Sequence, residues 1–367
     1  MRSIADIIDA QVDKDLWTYL AGAKKPILMY GMGNGADKIL AVLDRYGAEV
    51  DDFFASDGFV RGHSFHGKVV LSYSDAIKKY GEDVIILVSF GSHLPDVVER
   101  IFALAQRHEV YIPDVPVCGG SEVFTLDFFR EHEEKLDAAY RAMADETSKK
   151  CFENILLYKL TGKTDYLRAS ATGEEEIFSS LLTRPYISYM DLGAYNGDTL
   201  AYYLSRFPTI TRVYAMEPDS RNYRKLTAAT AKYPDCTITA VQGAAWNKEE
   251  ELVFTAAGNR NSSGAADGTL HGAKIVTVPG MPPDRLAKDK VDFIKYDVEG
   301  AEAEALLGSR EMITRDQPDL LVSAYHRSED LFRLPAQILA LCPEYRLYLR
   351  RLPCFPAWDI NLYALKR

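Results

Sequence analysis

Residues 190–199 and 217–219 carry the densest chemical signal in the chain. Asp191 follows an apolar segment typical of a buried strand. Gly193 and Gly197 then allow a tight turn and a close approach of a ligand to the backbone. Glu217 comes twenty-six residues after Asp191 and ends a second predicted strand over residues 211–216. A carboxylate at that position can accept two hydrogen bonds from a ribose diol, as it does in dinucleotide-binding folds.

The spacing of the first loop distinguishes between cofactors. A dinucleotide fingerprint is G-x-G-x-x-G, which places pyrophosphate on a helix N-terminus. This loop is G-x-x-x-G, and the preceding carboxylate of Asp191 would repel a pyrophosphate. S-adenosylmethionine has a ribose, an amine and a positive sulfonium but no phosphate, so it fits the loop better. The alternative is a β-α turn whose glycines serve only the geometry of the chain.

A third predicted strand, over residues 237–241, should end near the adenine, because ligands of doubly wound sheets bind beyond the carboxyl ends of the strands. A plain strand end remains the alternative there. The predicted cofactor-binding residues are Asp191, Gly193, Ala194, Tyr195, Asn196, Gly197, Thr199, Glu217, Pro218, Asp219, Gln242, Gly243, Ala244 and Asp297.

A second signal lies at residues 291–302. Asp297 ends a predicted strand, where the transferred methyl and its acceptor should meet, and Lys295 shares its face by the period of two. Glu299 and Glu302 open the next predicted helix, where acids are also explained by the helix dipole. His326 follows a strand predicted at residues 320–324 and is either a general base or a structural histidine.

The candidate catalytic residues are therefore Asp297, His326, Lys295 and Glu299. The carboxylates of Asp297 and Glu299 could hold magnesium through oxygen ligands. Carboxylates alone are weak evidence for a metal, so the sequence assigns no metal ligand.

The N-terminal 120 residues alternate predicted strands and helices, which indicates a parallel doubly wound sheet. Gly31, Gly33 and Gly35 form a G-x-G-x-G loop that could cradle phosphate, with Asp57 on a ribose. The alternative is a tight turn in a degenerate Rossmann-like domain used for packing or for a homodimer. This segment also looks like small domains associated with nucleotides or sugar nucleotides.

Two Rossmann-like α/β domains are predicted, at residues 1–120 and 183–367, with a helical connector at residues 121–182. A polar loop at residues 259–274 either closes over a substrate or is a surface excursion.

Composition narrows the function classes. The net charge of −10 argues against extended contact with nucleic acid, and 47% apolar with 26% charged residues is ordinary for a soluble protein. Five scattered cysteines without a C-x-x-C pair do not support zinc or dithiol chemistry and fit a reducing compartment. Acids near the start do not fit a signal peptide, and no apolar run reaches the ~20 residues of a membrane helix. A cytoplasmic protein is expected.

Residues ~150–367 resemble the FkbM family of S-adenosylmethionine-dependent methyltransferases. The resemblance rests on residues 191–199, 217–219, 293–302 and 323–326, with a closing strand at residues 358–363. It implies a seven-stranded class I methyltransferase fold and O-methylation of hydroxyl groups, often on sugars or polyketide-like products. It also implies that Asp191, Gly193 and Gly197 hold the methionine moiety, Glu217 the ribose, and that Asp297 and His326 face the acceptor. Residues 1–120 lie outside the usual family domain.

The expected function is S-adenosylmethionine-dependent O-methylation of a sugar, a glycoconjugate precursor or another small metabolite. One alternative is a non-catalytic protein that retains the cofactor fold as a binding module or scaffold. Another is a nicotinamide-dependent oxidoreductase that uses the N-terminal glycine loop. The absence of a Tyr-x-x-x-Lys sequence after that loop argues against it.

Overall fold

The computed structural model describes residues 2–60, 62–256 and 274–366. It contains parallel strands alternating with helices in two separate sheets, so the predicted α/β class is confirmed. The polar loop predicted at residues 259–274 lies, except for its last residue, outside the described part of the chain. Within the described part, no helix is both long and apolar enough to cross a bilayer.

The N-terminal third builds the first sheet. Its elements are α1 (Ile4–Asp9), α2 (Leu16–Ala21), β1 (Ile27–Tyr30), α3 (Asn34–Arg45), β2 (Asp52–Ala55), a 3₁₀ turn (Asp57–Phe59), β3 (Ser64–Phe65), β4 (Lys68–Val69), β5 (Leu71–Ser72), α4 (Tyr73–Tyr80), β6 (Ile85–Val88), α5 (Pro95–Leu104) and β7 (Glu109–Tyr111). Five strands form a parallel sheet in the order β5-β2-β1-β6-β7. Every residue of β1 and β6 is buried, as expected for parallel strands covered on both faces.

A run of helices follows. It comprises α6 (Leu126–Glu131), α7 (Glu133–Ala142), α8 (Glu146–Thr161), α9 (Thr164–Ala169), α10 (Glu174–Glu176) and a π-helical turn (Ile177–Leu181). The longest of these, α8, has Asp145 as its N-cap, whose carboxylate accepts a hydrogen bond from the backbone N–H of Ser148. Its C-cap is Gly162, which is left-handed with φ 65°. Both ends of α8 therefore follow from the local sequence.

The C-terminal half builds the second sheet. Its elements are β8 (Ser188–Leu192), α11 (Asp198–Arg206), β9 (Arg212–Glu217), α12 (Ser220–Thr230), β10 (Thr237–Gln242), β11 (Ala244–Ala245), β12 (Glu250–Ala256), β13 (Lys274–Met281), a 3₁₀ turn (Pro283–Arg285), β14 (Phe293–Tyr296), α13 (Glu302–Gly308), α14 (Arg310–Asp316), β15 (Asp319–Ser323), α15 (Asp330–Leu341), β16 (Arg346–Arg351) and β17 (Ile360–Leu365). Seven strands follow the order β10-β9-β8-β14-β15-β17-β16, and β17 is antiparallel to both of its neighbours.

The register of this sheet positions the candidate site. In β8 and β14, Asp191 lies directly opposite Lys295, and in β9 and β10, Glu217 lies opposite Gln242. Because β8, β9, β10, β14 and β15 are parallel, their carboxyl ends meet at one edge of the sheet. The loops after these strands therefore share that edge, where ligands of such sheets bind.

Two neighbouring arginines of β16, Arg350 and Arg351, lie inside the protein, although neither stands in a sequence motif. Arg350, in β16, is 1% exposed and reaches Asp145 at 2.7 Å, Glu176 at 2.8 Å and the hydroxyl of Ser148 at 2.7 Å. Its guanidinium thus ties the start of α8 and the end of α10 to the edge of the second sheet. A planar fork of five donors suits this bridging position, which a lysine would fill poorly.

We expect Arg350→Ala to lower the free energy of unfolding by roughly 3 kcal/mol. This is the lower end of the range for breaking a buried ion pair, because the two acids left without their cation are about one third exposed. Urea unfolding followed by circular dichroism measures the loss.

Arg346→Ala is the matched control, because Arg346 lies on the same strand and is exposed. This variant should change stability by less than about 0.5 kcal/mol. Equal losses in the two variants would contradict a structural role for the buried bridge.

Candidate functional site

A buried ion pair lies beneath the predicted cofactor loop. Asp191 is fully buried, and its two oxygens accept hydrogen bonds from Lys295 Nζ at 3.2 Å and from the Thr199 hydroxyl at 2.9 Å. Lys295 also donates to the carbonyl of Gly193 at 3.3 Å. Burial alone would lower the pKa of Lys295, but the carboxylates of Asp191 and Asp297 outweigh it and raise that pKa. The pair therefore fixes the loop from below, and both of its charged groups are committed to protein partners.

The loop after β8 packs on the backbone at the end of the neighbouring strand β14. Gly193 has φ 80°, and a Cβ added there would lie 1.9 Å from the carbonyl oxygen of Asp297. The backbone N–H groups of Gly193 and Ala194 both donate to the carbonyl of Met216. Tyr195 has φ 47° and Gly197 has φ 87°, so the chain turns sharply into α11. Glycine at position 193 is required by the close approach of two backbones.

Glu217 lies beside this loop with its carboxylate held by backbone donors. It is 5% exposed, and its oxygens accept from the N–H of Tyr195 at 2.9 Å and from that of Asp219 at 2.8 Å. Burial is the largest influence and raises the pKa of Glu217 to about 7, against the two backbone donors, which lower it. The structure therefore brings the loop and the predicted ribose-binding acid together, as their spacing suggests.

Other predicted cofactor residues have local structural roles. Asp219 is 2% exposed, and its carboxylate caps α12 through the N–H groups of Arg221 and Asn222. The exposed Gln242 lies across from Glu217, and Gly243 donates its N–H to the carbonyl of Glu217 at 3.2 Å. Of the remaining predicted residues, Asn196 and Pro218 lie in the loops after β8 and β9, and Ala244 begins β11.

Asp297 lies at the end of β14 among polar groups. Its carboxylate is 31% exposed and lies 3.6 Å from Lys295 Nζ, 3.3 Å from the Tyr325 hydroxyl and 3.7 Å from His326 Nε2. Burial alone would raise the pKa of Asp297. The positive charges of Lys295 and His326 outweigh burial and hold that pKa below its ordinary value. This carboxylate is therefore ionised at neutral pH and is partly accessible.

His326 is fully buried beside three carboxylates. Its Nδ1 lies 3.0 Å from Glu302 Oε1, and its Nε2 lies 3.5 Å from Glu299 Oε2 and 3.7 Å from Asp297. Burial alone would lower its pKa, but Glu302 and the other acids raise the pKa of His326 to about 10. The structure places His326 at the predicted strand tip. Complete burial separates its ring from any ligand in a cleft, which argues against direct contact with an acceptor.

Glu299 and Glu302 differ in their surroundings. Glu299 has a strained φ of 54°, and burial raises the pKa of its carboxyl to about 8. Glu302 is 1% exposed, and its Oε1 accepts from the N–H of Val298 at 2.8 Å. The helix-dipole explanation of these acids is thus incomplete, because both carboxylates also face the imidazole of His326.

Sequence reasoning missed two residues of this region. Asp330 is 3% exposed and accepts from the N–H of Arg327 at 2.8 Å, and burial raises the pKa of its carboxyl to about 7. Cys118 donates its thiol to the carbonyl of Glu299 at 3.0 Å. Neither residue stands in a recognisable motif, and only the folded chain brings Cys118 beside a loop about 180 residues away.

A cavity of about 290 Å³ lies where the two halves of the chain meet. The N-terminal half contributes Met32 from the loop after β1, Gly35 from the first turn of α3 and Phe90 from the segment after β6, and the second half contributes Glu299 and Trp358. The volume is near the lower end of the range for small-molecule pockets, about 300–1,000 Å³. The N-terminal glycine loop therefore borders a space that also includes Glu299. With Asp297, Glu302 and Asp330, Glu299 forms the acidic cluster around His326.

The carboxylate of Asp57, which was predicted to contact a ribose, is bound to Ser74 instead. Its carboxylate accepts from the N–H of Ser74 at 3.0 Å and from the Ser74 hydroxyl at 2.8 Å, at the start of α4. These hydrogen bonds hold the pKa of Asp57 below its ordinary value. A structural role of this acid explains its position without a dinucleotide.

The second half of the chain is similar to a known family of methyltransferases. Residues 191–352 match the family model described as the methyltransferase FkbM domain. This match confirms over those residues the resemblance found in the sequence. The chain matches none of the curated proteins with which it was compared.

The fold of the chain is similar to that of solved methyltransferase structures. The crystal structure of methyltransferase FkbM from Methylobacillus flagellatus KT is similar, with a TM-score of 0.73 and 21% identity over 99% of this chain and 98% of that one. Precorrin-6y C5,15-methyltransferase from Geobacter metallireducens GS-15 has a TM-score of 0.33 and 12% identity over 53% of this chain and 87% of that one. Aeropyrum pernix fibrillarin, in complex with S-adenosyl-L-methionine, has a TM-score of 0.31 and 15% identity over 50% and 67%. The first likeness supports the fold over the whole chain, and the two lower scores add nothing to it.

We expect Gly193→Ala to be destabilised for two separate reasons. A left-handed φ is unfavourable for alanine by about 1–2 kcal/mol. The clash with the backbone of Asp297 adds roughly 1–3 kcal/mol, as overpacking does elsewhere. The free energy of unfolding in urea gives the sum.

Gly67→Ala separates the two effects. Gly67 has nearly the same φ, 78°, and no atom lies within 4 Å of an added Cβ among the described residues. It should show only the conformational part. A loss as large as that of Gly193→Ala would disprove the close packing of the loop on Asp297.

Proposed function

Because residues 191–352 form an FkbM methyltransferase domain, we propose that this protein is an S-adenosylmethionine-dependent O-methyltransferase. Its seven-stranded sheet would then be the class I methyltransferase fold, with the first sheet as an added Rossmann-like domain. The acceptor would be a hydroxyl of a sugar, a glycoconjugate precursor or another small metabolite. The observation that carries the proposal is the pairing of the Gly193–Gly197 loop with the buried carboxylate of Glu217.

The residues present fit this cofactor. Each oxygen of Glu217 accepts one backbone N–H and retains a second lone pair, so the carboxylate can still accept both hydroxyls of a ribose. Asp191 is buried and neutralised by Lys295, so in our proposal the backbone of the loop, rather than this carboxylate, lines the methionine moiety. Gln242, opposite Glu217, would border the adenine.

The acceptor would reach the site through the cavity between the two halves. Glu299 lines this cavity and lies 3.5 Å from His326, which in turn lies 3.7 Å from Asp297. The carbonyl of Asp297 touches the cofactor loop at Gly193. Glu299 at the cavity and Asp297 at the cofactor loop thus lie on either side of the buried His326, and this closeness supports transfer to a molecule held against the N-terminal half.

Asp297 is the residue best placed to accept the proton of the acceptor hydroxyl. It is the ionised and partly accessible carboxylate at the end of β14, whereas His326 is fully buried. His326 and Lys295 would act as positioning residues that hold Asp297. When bound, the cofactor supplies a methyl group on a positively charged sulfur. Alignment of the acceptor oxygen with that carbon can contribute about 7–11 kcal/mol, and a proton acceptor a further ~10²–10⁴-fold.

Cofactor affinity should depend on Glu217 and on pH. The pKa of Glu217 is about 7, and ribose hydroxyls donate best to the ionised carboxylate. Affinity should therefore rise as the pH increases through 7, by up to about tenfold between pH 6 and pH 8. Isothermal titration calorimetry with S-adenosylmethionine measures this slope.

Glu217→Gln should weaken binding by ~1.5–3 kcal/mol at pH 8 and remove the slope. Glu251→Gln, at an exposed acid of β12, is the control and should behave as the wild-type protein. Equal affinities of Glu217→Gln and the wild-type protein at pH 8 would refute the ribose role of Glu217. No binding at any pH would refute the proposed cofactor.

Filling the cavity should block transfer without affecting the cofactor. Met32 is 39% exposed at the rim, so Met32→Trp can extend into the space without disturbing a core. We expect the wild-type protein to form S-adenosylhomocysteine with some member of a panel of sugars, sugar nucleotides and phenols. The variant should lose at least ~90% of this activity and keep the affinity for S-adenosylmethionine.

Val69→Trp provides the control, because Val69 is 61% exposed and does not line the cavity. Full activity in Met32→Trp would place the acceptor elsewhere. No S-adenosylhomocysteine with any acceptor, despite tight cofactor binding, would favour the alternative of a non-catalytic binding protein.

A further inference from the structure

The centre of the acidic cluster contains buried polar atoms without partners. His326 is 0% exposed and Glu302 is 1% exposed. Among the described residues, no hydrogen-bond partner reaches Nε2 of His326 or Oε2 of Glu302. A buried polar atom left unpaired is unfavourable by about 1–3 kcal/mol, and native proteins rarely retain one without a ligand, water or ion.

The geometry is that of a cation site. Asp297, Glu302 and His326 each offer one ligand atom, and these atoms lie within 4.8 Å of one another. Ligand atoms on opposite sides of a metal ion are separated by about 4–4.6 Å, twice a metal–ligand distance of 2.0–2.3 Å. Small side-chain movements would thus close the site. Glu299, whose oxygen lies 3.5 Å from Nε2 of His326, is a further oxygen ligand within reach.

The excess of negative charge around His326 also favours a bound cation. Four carboxylates, those of Asp297, Glu299, Glu302 and Asp330, surround one imidazole, and the nearest lysine is already shared with Asp191. A divalent cation would displace the proton of the imidazole to solvent, compensate this excess of negative charge and satisfy the unpaired nitrogen and oxygen together. Buried charges are tolerated in proteins when they are paired or coordinate a metal.

We propose that Asp297, Glu302 and His326 bind a divalent first-row metal ion, such as Mn²⁺. Imidazole nitrogen favours transition metals over Mg²⁺ and Ca²⁺, and the carboxylates favour a hard ion. The nearby thiol of Cys118 donates to the carbonyl of Glu299, so a soft, sulfur-bound ion is not expected.

The position also suggests what the ion does, a role that rests on the proposed methyltransferase function. Glu299 connects the cluster to the cavity in which the acceptor would lie. An ion there would bind an acceptor oxygen, orient it and lower the pKa of its hydroxyl, and the oxygen of Asp297 that does not hold the ion would accept the proton. Acceptors with two adjacent oxygens, such as vicinal diols, would then be preferred because they can chelate the ion.

The test uses the full-length protein freed of metals by a chelator and titrated with Mn²⁺ alone. Electron paramagnetic resonance should show saturable loss of the free-ion signal at one equivalent. Spin-echo modulation should reveal a coordinated ¹⁴N that disappears in His326→Gln. S-adenosylmethionine affinity, measured separately in the presence of chelator, reports on the proposed function independently of the metal.

Variants identify the ligands. Asp297→Asn and Glu302→Gln should each weaken Mn²⁺ binding at least tenfold, and Glu99→Gln, at an exposed acid of α5, should leave it unchanged. Circular dichroism verifies folding. If the buried Glu302 variant unfolds, Asp297→Asn decides, because its side chain is 31% exposed. Absence of saturable binding, or binding that a folded Asp297→Asn retains in full, would overturn the proposal.

Discussion

The buried pair of Asp191 and Lys295 is the interaction on which the site depends. The two residues lie opposite each other on neighbouring parallel strands and are almost wholly excluded from water. Neither charge could remain buried without the other. Through Thr199 and the carbonyl of Gly193, the same pair fixes the start of α11 and the first residue of the loop. The close contact of Gly193 with Asp297 is possible only because both strand ends are held in this register.

The candidate site is shared between the two halves of the chain. Cys118, which follows the last strand of the first sheet, donates its N–H to the carbonyl of His326 and its thiol to that of Glu299. The Arg327 side chain donates hydrogen bonds to the carbonyls of Gly300 and Gly119. These contacts place the acidic cluster against the segment that follows the N-terminal sheet, close to Pro116 and Val117, which line the cavity. This arrangement supports the proposed role of the N-terminal half in holding the acceptor.

The elements near the site were largely predictable, because they depend on local patterns. Fully buried strands such as Phe293–Tyr296 are determined by burial on two faces, and the turn at Gly197 is determined by the backbone freedom of glycine. The small sheet that contains β12 and β13 was not predicted, since its antiparallel pairing joins segments across an intervening stretch of chain. The buried Arg350 was missed for a related reason: arginine is usually exposed, and its partners Asp145 and Glu176 lie some 200 and 170 residues earlier.

The sequence by itself determined the α/β class, the resemblance to a methyltransferase domain and the order of the acids along the strand ends. The spacing of residues along the chain predicts these features, because an apolar segment followed by a glycine turn is compatible with few local structures. Only the tertiary structure decided what each acid does. In the folded chain, Asp191 is paired with Lys295, and Asp219 caps a helix. Glu217 lies beside the loop, and His326 is buried among carboxylates. Charge and burial around a side chain depend on residues far apart in sequence, so the chemistry of these groups arises only when the chain is folded.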